Sequence, residues 1–480
     1  MKENRLEYLV IIFIVTFSIG VVIINEHLLL HATRSDIWIF IGLFAAIVGV
    51  CLMHNLLKKG SDPYEIINPI LIGYSLYSLM LPLNYLITLH VPTVDIRVPG
   101  IAMLPMYQYL MICTIGLIGL LLGYYLPLGK RYSSILPVWT VSNRELKIAA
   151  IVLMAYGLFS FATNIAAYGG LANYIAVGYG PQRYVIQREA LHFGSGMEII
   201  GIASIILMYV SFVEKKKIRF ALLVSVIIII AYISLLIGQR RYIVYLLFMA
   251  FVVVNYRFIR IKLRWMLITL LLAYAFLFVY PHTRKLWSQV GFTEGVVATY
   301  NIAVENPELL LPFASGEFIP PSKVILEVLT DDSFQFHYGA SYISGLIRVI
   351  PRIGSVMPEV LQRLSDWRMK TYYPGLYERG VNFIFFIVGE GYVNFGYWGA
   401  FLHMFIYGLI ARMLYSYFRK NQMNSLSLLV YAAVFALIPI ESLHAEFTQF
   451  IWYMTHIYLG PLLLILGAVK FVDYVCKNRE

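Results

Sequence analysis

Pro281-His282-Thr283-Arg284-Lys285 opens, and Gly389-Glu390-Gly391-Tyr392-Val393-Asn394-Phe395-Gly396 closes, the one long stretch of this chain that mixes proline, glycine, tyrosine and charge. On both sides of it the sequence turns apolar. Hydrophobic residues fill 60% of the 480 positions and charged ones 13%, whereas soluble domains carry about a quarter charged. Mean hydropathy is +0.75. The flanks therefore read as membrane-spanning helices, with the polar stretch as a large loop held between them.

A span needs about 20 apolar residues. Twelve candidates centre on 7–25, 36–56, 66–89, 104–126, 147–168, 197–213, 219–238, 242–258, 265–281, 396–417, 425–440 and 448–472. The large loop falls between the ninth and the tenth. The first candidate runs past Ser18-Ile19-Gly20 into Val21-Val22-Ile23-Ile24, which reads as an uncleaved span rather than a removed signal. Segment 381–395 reads as a half-span or a re-entrant piece. The expected organisation is an all-α polytopic membrane protein in three parts. These are a nine-helix scaffold over 1–281, a loop with amphipathic and re-entrant segments over 282–395, and C-terminal helices over 396–480.

Basic residues set the orientation. Of the 37 Lys and Arg, 22 fall on one side of the alternating spans and nine in the long loop. Six are left for the other side: Arg34, Arg97, Arg183, Arg188, Arg240 and Arg241. Long loops cross regardless of charge, so 22 against 6 places both termini in the cytoplasm and the loop outside. The net charge of +11 is thereby accounted for by topology signals in short clusters, and no nucleic-acid face is implied. Cys51, Cys113 and Cys476 all lie outside the loop, so no disulfide framework is expected.

Several stretches carry residue types suited to chemistry. Gly238-Gln239-Arg240-Arg241-Tyr242 puts two arginines at the outer tip of a membrane hairpin, against the positive-inside bias. They either snorkel to lipid phosphates or form a guanidinium fork for phosphate or diphosphate. Arg183 and Arg188 sit in a glycine-rich outer loop, and Arg284 just past an outer helix end. From Arg284 to Arg379 in the long loop nine basic residues, Arg348 and Arg352 among them, face ten acidic ones, so it is no general polyanion patch. Tyr338, Tyr342 and Trp367 offer flat faces for sugars. The segment from Ser341 to Ile350 reads as a short amphipathic helix lying on the membrane, stopped by Pro351. Glu317, His337 and Glu390 compete as a general base, with Glu390 alternatively tying down the glycine-rich re-entry. Asp331-Asp332 reads as a turn or cap rather than a metal site, and neither a metal nor another cofactor is expected.

The hairpin Gly238–Tyr242 resembles the Gly-x-Arg-Arg corner of bacterial oligosaccharide repeat-unit polymerases, the O-antigen polymerase (Wzy) family. Tyr338-Gly339-Ala340-Ser341-Tyr342, leading to Ile350-Pro351-Arg352, and Gly389–Gly396, followed by Gly399, resemble further stretches of the same family. The resemblance covers most of the chain from about residue 150. It implies a GT-C-like architecture in the bacterial inner membrane and metal-independent glycosyl transfer at its outer face. Donor and acceptor would be oligosaccharides linked to undecaprenyl diphosphate. Arg240, Arg241 and Arg284, then Arg183, Arg188 and Arg352, would hold the diphosphate. A chain-length regulator and a flippase are the partners such a family brings with it. Two other readings stay open: an O-antigen ligase-type glycan transferase, and a lipid-linked sugar or polysaccharide transporter. Two equal six-helix halves would put a long connector inside and midway, yet the middle link Glu214-Lys215-Lys216-Lys217 is very short.

Overall fold

The computed structural model describes residues 33–57, 61–88, 103–177, 196–236, 240–262, 292–305, 318–350, 361–378, 381–438 and 441–477, with the isolated positions 265, 268 and 358. Among them every regular element is a helix. The long helices are α1 (Arg34–Leu57), α2 (Ile67–Thr88), α3 (Met103–Tyr125), α5 (Asn143–Ala167), α6 (Met197–Val213), α7 (Lys217–Leu236) and α8 (Arg240–Arg257), with the short α4 (Leu128–Ser133) before α5. The polar stretch contributes α9 (Ile319–Leu329), α10 (Ala340–Ile347) and α11 (Leu364–Tyr372). Then come α12 (Ile387–Lys420), α13 (Ser425–Leu437), α14 (Phe447–Tyr453) and α15 (Gly460–Lys477).

A helix occupies every expected span except 7–25 and 265–281, which lie wholly or almost wholly outside the described residues. Among the described residues five helices are long and apolar enough to cross a membrane, or six if the bent pair Phe447–Tyr458 and Gly460–Val472 is one span. Met197–Val213, Tyr242–Arg257 and Ser425–Leu437 are apolar but shorter. The chain is thus a multi-pass membrane protein, all-helical over its described residues. Its spans differ in setting: α3 is the buried centre, whereas α7 turns Leu222, Ile228, Ile229 and Tyr232 outward.

The central contact is α3 against α12. Gly119 and Gly123 let the α12 backbone come so close that a methyl on either would collide with the carbonyl of Phe401 or Phe405. Gly408 does the same for the carbonyl of Leu120. Lipid tails are as apolar as leucine, so close van der Waals packing through small residues, rather than a hydrophobic drive, holds membrane helices together.

The two ends of the bundle differ. Where α1, α3, α8 and α12 end and α2 begins, Asp62 and Glu65 are buried in a polar cage. Asp62 accepts hydrogen bonds from Tyr415 at 3.0 Å and from Tyr256, and Arg419 lies 3.4 Å away. Glu65 accepts from Tyr124 at 2.8 Å and from Arg412 at 3.0 Å. Basic residues from the 22-residue set thus gather at this end. The loop helices α9, α10 and α11 pack at the opposite end, beside the start of α12.

Candidate functional site

The polar stretch is built around one buried ion pair. Arg368 on α11 is 1% exposed and grips Glu327 on α9 in a fork, with Nε to Oε2 at 2.7 Å and Nη2 to Oε1 at 2.8 Å. Its remaining donors reach the carbonyls of Ile384 and Pro320, both at 2.9 Å, and Tyr373 also donates to Glu327. Burial alone would lower the Arg368 pKa, but Glu327 more than offsets it and raises it. Ser322 on the same helix donates to the Tyr77 carbonyl on α2 at 2.6 Å, fixing the module to the bundle. Sequence reasoning missed this pair, seeing only a near balance of charges.

Two stretches that the sequence singled out meet here. The run Ile387–Lys420 is not one straight rod. Phe395 and Gly396 leave the helical region, with φ of 63° at Gly396. Gly391 and Gly399, which a straight helix would hold about 12 Å apart, approach until a methyl on Gly391 would lie 2.5 Å from the Gly399 carbonyl. The chain turns back on itself there, and Val393 and Asn394 expose acceptors at the corner. Successive N–H groups of the facing stretch take them: His337 to the Val393 carbonyl at 3.1 Å, Tyr338 to the Asn394 carbonyl at 3.2 Å and Gly339 to Asn394 Oδ1 at 2.9 Å. To do so Tyr338 and Gly339 both adopt left-handed backbone, φ 48° and 87°. That is strained for a tyrosine.

Glu390 lies beneath this corner, fully buried. Its Oε1 accepts from Ser341 Oγ at 2.7 Å and its Oε2 from the Phe447 N–H at 2.6 Å. Asn394 Nδ2 completes the ring, donating to Ser341 Oγ and to the Glu390 carbonyl, both at 2.8 Å. Both carboxyl oxygens are engaged, so Glu390 acts here as the tie between α10, α12 and α14 rather than as a base facing a substrate. Glu446, next along, accepts from Ser365 N–H at 3.0 Å and Ser365 Oγ at 2.9 Å. Burial pushes its pKa up, opposed by nearby Arg363 and the Ser365 bonds.

Above the corner runs an aromatic ledge. Trp367 meets the His337 ring edge-on at 4.6 Å, Phe334 stacks on the same ring at 6.4 Å while touching Trp367 edge-on at 6.0 Å, and Phe336 links Phe334 to Tyr338. Tyr338 is 75% exposed. His337 is half-buried, and among the described residues nothing hydrogen-bonds its ring nitrogens. Burial lowers its pKa below the ordinary 6.5, which keeps it neutral and able to take a proton at neutral pH.

Tyr342 departs from its expected place on a sugar-binding surface. Its hydroxyl is bonded to His403 Nδ1 at 2.9 Å and its ring packs on Phe447, so it is wedged between α12 and α14. His403, an imidazole within an apolar helix, is a second residue that sequence reasoning passed over. Asp331 holds a turn, accepting from the Ser333 N–H at 2.9 Å and Oγ at 2.6 Å, with Tyr372 at 2.9 Å. These bonds, Ser333 first, hold its carboxyl below the usual range. Arg183, Arg188, Arg284, Arg352 and Glu317 lie outside the described residues, and Arg240 and Arg241 are described only as the backbone that starts α8. Comparison of the chain with protein-family models, with characterised proteins and with solved structures returned no match, so its reading rests on its own residues.

Proposed function

We propose that this protein is a glycosyltransferase that polymerises undecaprenyl-diphosphate-linked oligosaccharide repeat units into surface polysaccharide. The full proposal includes twelve spans, a GT-C-like architecture, cytoplasmic termini and a site at the outer face of the bacterial inner membrane. The observation that carries it is the ledge of His337, Trp367, Phe336 and Tyr338, seated on the membrane end of a kinked span. Sugars present flat C–H faces and hydroxyls, which aromatic faces and an imidazole without a hydrogen-bond partner among the described residues match.

In this reading a hydroxyl oxygen of the acceptor repeat unit attacks the anomeric carbon of the donor glycan. The bond from that carbon to the diphosphate oxygen breaks, and the diphosphate leaves with the electron pair. The hydroxyl proton passes to His337, or to Glu317. Arg240, Arg241 and Arg284, then Arg183, Arg188 and Arg352, hold the leaving group, since fixed cations stabilise developing negative charge best where no water must reorient.

The test is deletion of the protein in its own cell, followed by gel analysis of surface polysaccharide. Loss of the ladder with retention of single repeat units supports polymerisation. An unchanged ladder overturns it, and loss of even the single capped unit points to a ligase or a transporter instead. Arg240→Ala and Arg241→Ala, in protein that still inserts, should abolish the ladder. Full activity in both removes them from the diphosphate site.

A further inference from the structure

At the basic end, α4 is followed by a non-helical stretch over 134–142 whose apolar side chains, Val141 excepted, face outward. Ile135 is 73% exposed, and Leu136, Val138 and Trp139 are exposed with it. The backbone of this stretch is nevertheless held in place. Tyr417 donates to the Pro137 carbonyl at 2.9 Å, Asn424 to the Trp139 carbonyl at 2.8 Å and Lys470 to the Thr140 carbonyl. These donors come from α12, the cap of α13 and α15. The Lys470 ammonium also stands 5.9 Å from the centre of the Trp139 ring.

A surface loop in water ordinarily hides its apolar side chains and lets water serve its carbonyls. This stretch does the reverse. Irregular backbone is tolerated at membrane depth only where its polar groups are already paired by protein, and three of its carbonyls are. The charge around it is predominantly positive. Lys130, Arg131, Arg144 and Lys147 flank it, and the one acid among them, Glu145, spends its carboxylate on the Ser142 N–H in the cap of α5.

We infer that 128–144 is an interfacial anchor for anionic phospholipid. Ile135, Leu136, Val138 and Trp139 insert among the acyl chains of the adjacent leaflet, and Arg131, Arg144 and Lys470 hold the phosphate headgroups. This rests on the membrane reading of the apolar helices and not on the proposed activity.

The full-length protein, reconstituted in phosphatidylcholine vesicles, tests it. A minor fraction of either brominated phosphatidylglycerol or brominated phosphatidylcholine is included as quencher. The chain has seven tryptophans, so the Trp139 share is the difference between wild type and Trp139→Phe. That share should be quenched by both lipids and several-fold more by phosphatidylglycerol. Arg131→Gln and Arg144→Gln should each cut the excess by about fivefold at most, leaving the phosphatidylcholine quenching intact. An unquenched Trp139 would place the face against water or a protein partner and overturn the inference. Equal quenching by the two lipids would overturn it as well, by removing the headgroup preference.

Discussion

Replacing Glu390 by glutamine separates a tie from a base. The carboxyl group is fully buried and accepts two hydrogen bonds, from Ser341 Oγ and from the Phe447 N–H. An amide has one acceptor oxygen. Turned toward Ser341, it sets its NH2 against the Phe447 N–H; turned toward Phe447, it sets its NH2 against a hydroxyl that Asn394 already serves. One buried donor loses its partner either way, which costs about 1–3 kcal/mol. Glu390→Ala strands both donors and opens a cavity, for a loss of about 3–5 kcal/mol. The assay is thermal unfolding of the detergent-solubilised protein, run beside the polysaccharide ladder in cells. Glu390→Gln should melt earlier and keep activity in the fraction that folds, with Glu390→Ala worse on both counts. Melting at the wild-type temperature with the ladder abolished would refute this reasoning and restore Glu390 as the base.

His337 makes a pH-dependent prediction. Its pKa in the folded protein lies below the ordinary 6.5, so the unfolded chain binds the proton first as pH falls. Stability should therefore drop below about pH 6.5, transfer activity should fall on the acid side at a still lower pH as folded His337 takes the proton, and His337→Gln should flatten the stability trend. Arg368→Met strips the guanidinium fork from the buried Glu327 carboxylate, which keeps the Tyr373 hydroxyl, and should cost about 3–5 kcal/mol in unfolding measurements; adding Glu327→Met should recover part of it. Gly123→Ala pushes a methyl into the Phe405 carbonyl and should destabilise by about 1–3 kcal/mol, whereas Gly49→Ala, with open space around it, should be neutral or slightly stabilising.

Hydropathy made the spans legible because a bilayer imposes a length and an apolar content on each helix. The expected 36–56 and 104–126 stand as Arg34–Leu57 and Met103–Tyr125. The stretches around Gly339 and Gly391 stand out in the sequence by their resemblance to the polymerase family, and their glycines serve left-handed backbone at Gly339 and close approach at Gly391. The pairings were not legible. Arg368 finds Glu327 across 41 residues and Tyr415 finds Asp62 across 353, and no local spacing reports such partners. By its type alone Tyr342 reads as a sugar contact. Its partner His403 lies one helix away, and nothing in either neighbourhood announces the bond.

The amphipathicity of α10 bears on where the ledge sits. Ser341, Ser344 and Gly345 face inward, against Glu390, the Leu361 carbonyl and Phe447, whereas Ile343, Leu346 and Ile350 are exposed. A helix with its polar side in and its apolar side out would sacrifice about 1.5–3 kcal/mol per side chain in water. Against acyl chains the same arrangement is favourable. Beside it, Trp398 is 76% exposed at the head of a stripe that continues through Leu402, Ile406 and Ile410 down α12. Tryptophan at the top of such a stripe marks the membrane–water interface. Among its described residues, the polar stretch thus presents an apolar face suited to acyl chains rather than to water. Under the proposed function, this apolar face would seat the ledge of His337, Trp367 and Tyr338 near the headgroups of a lipid-linked substrate.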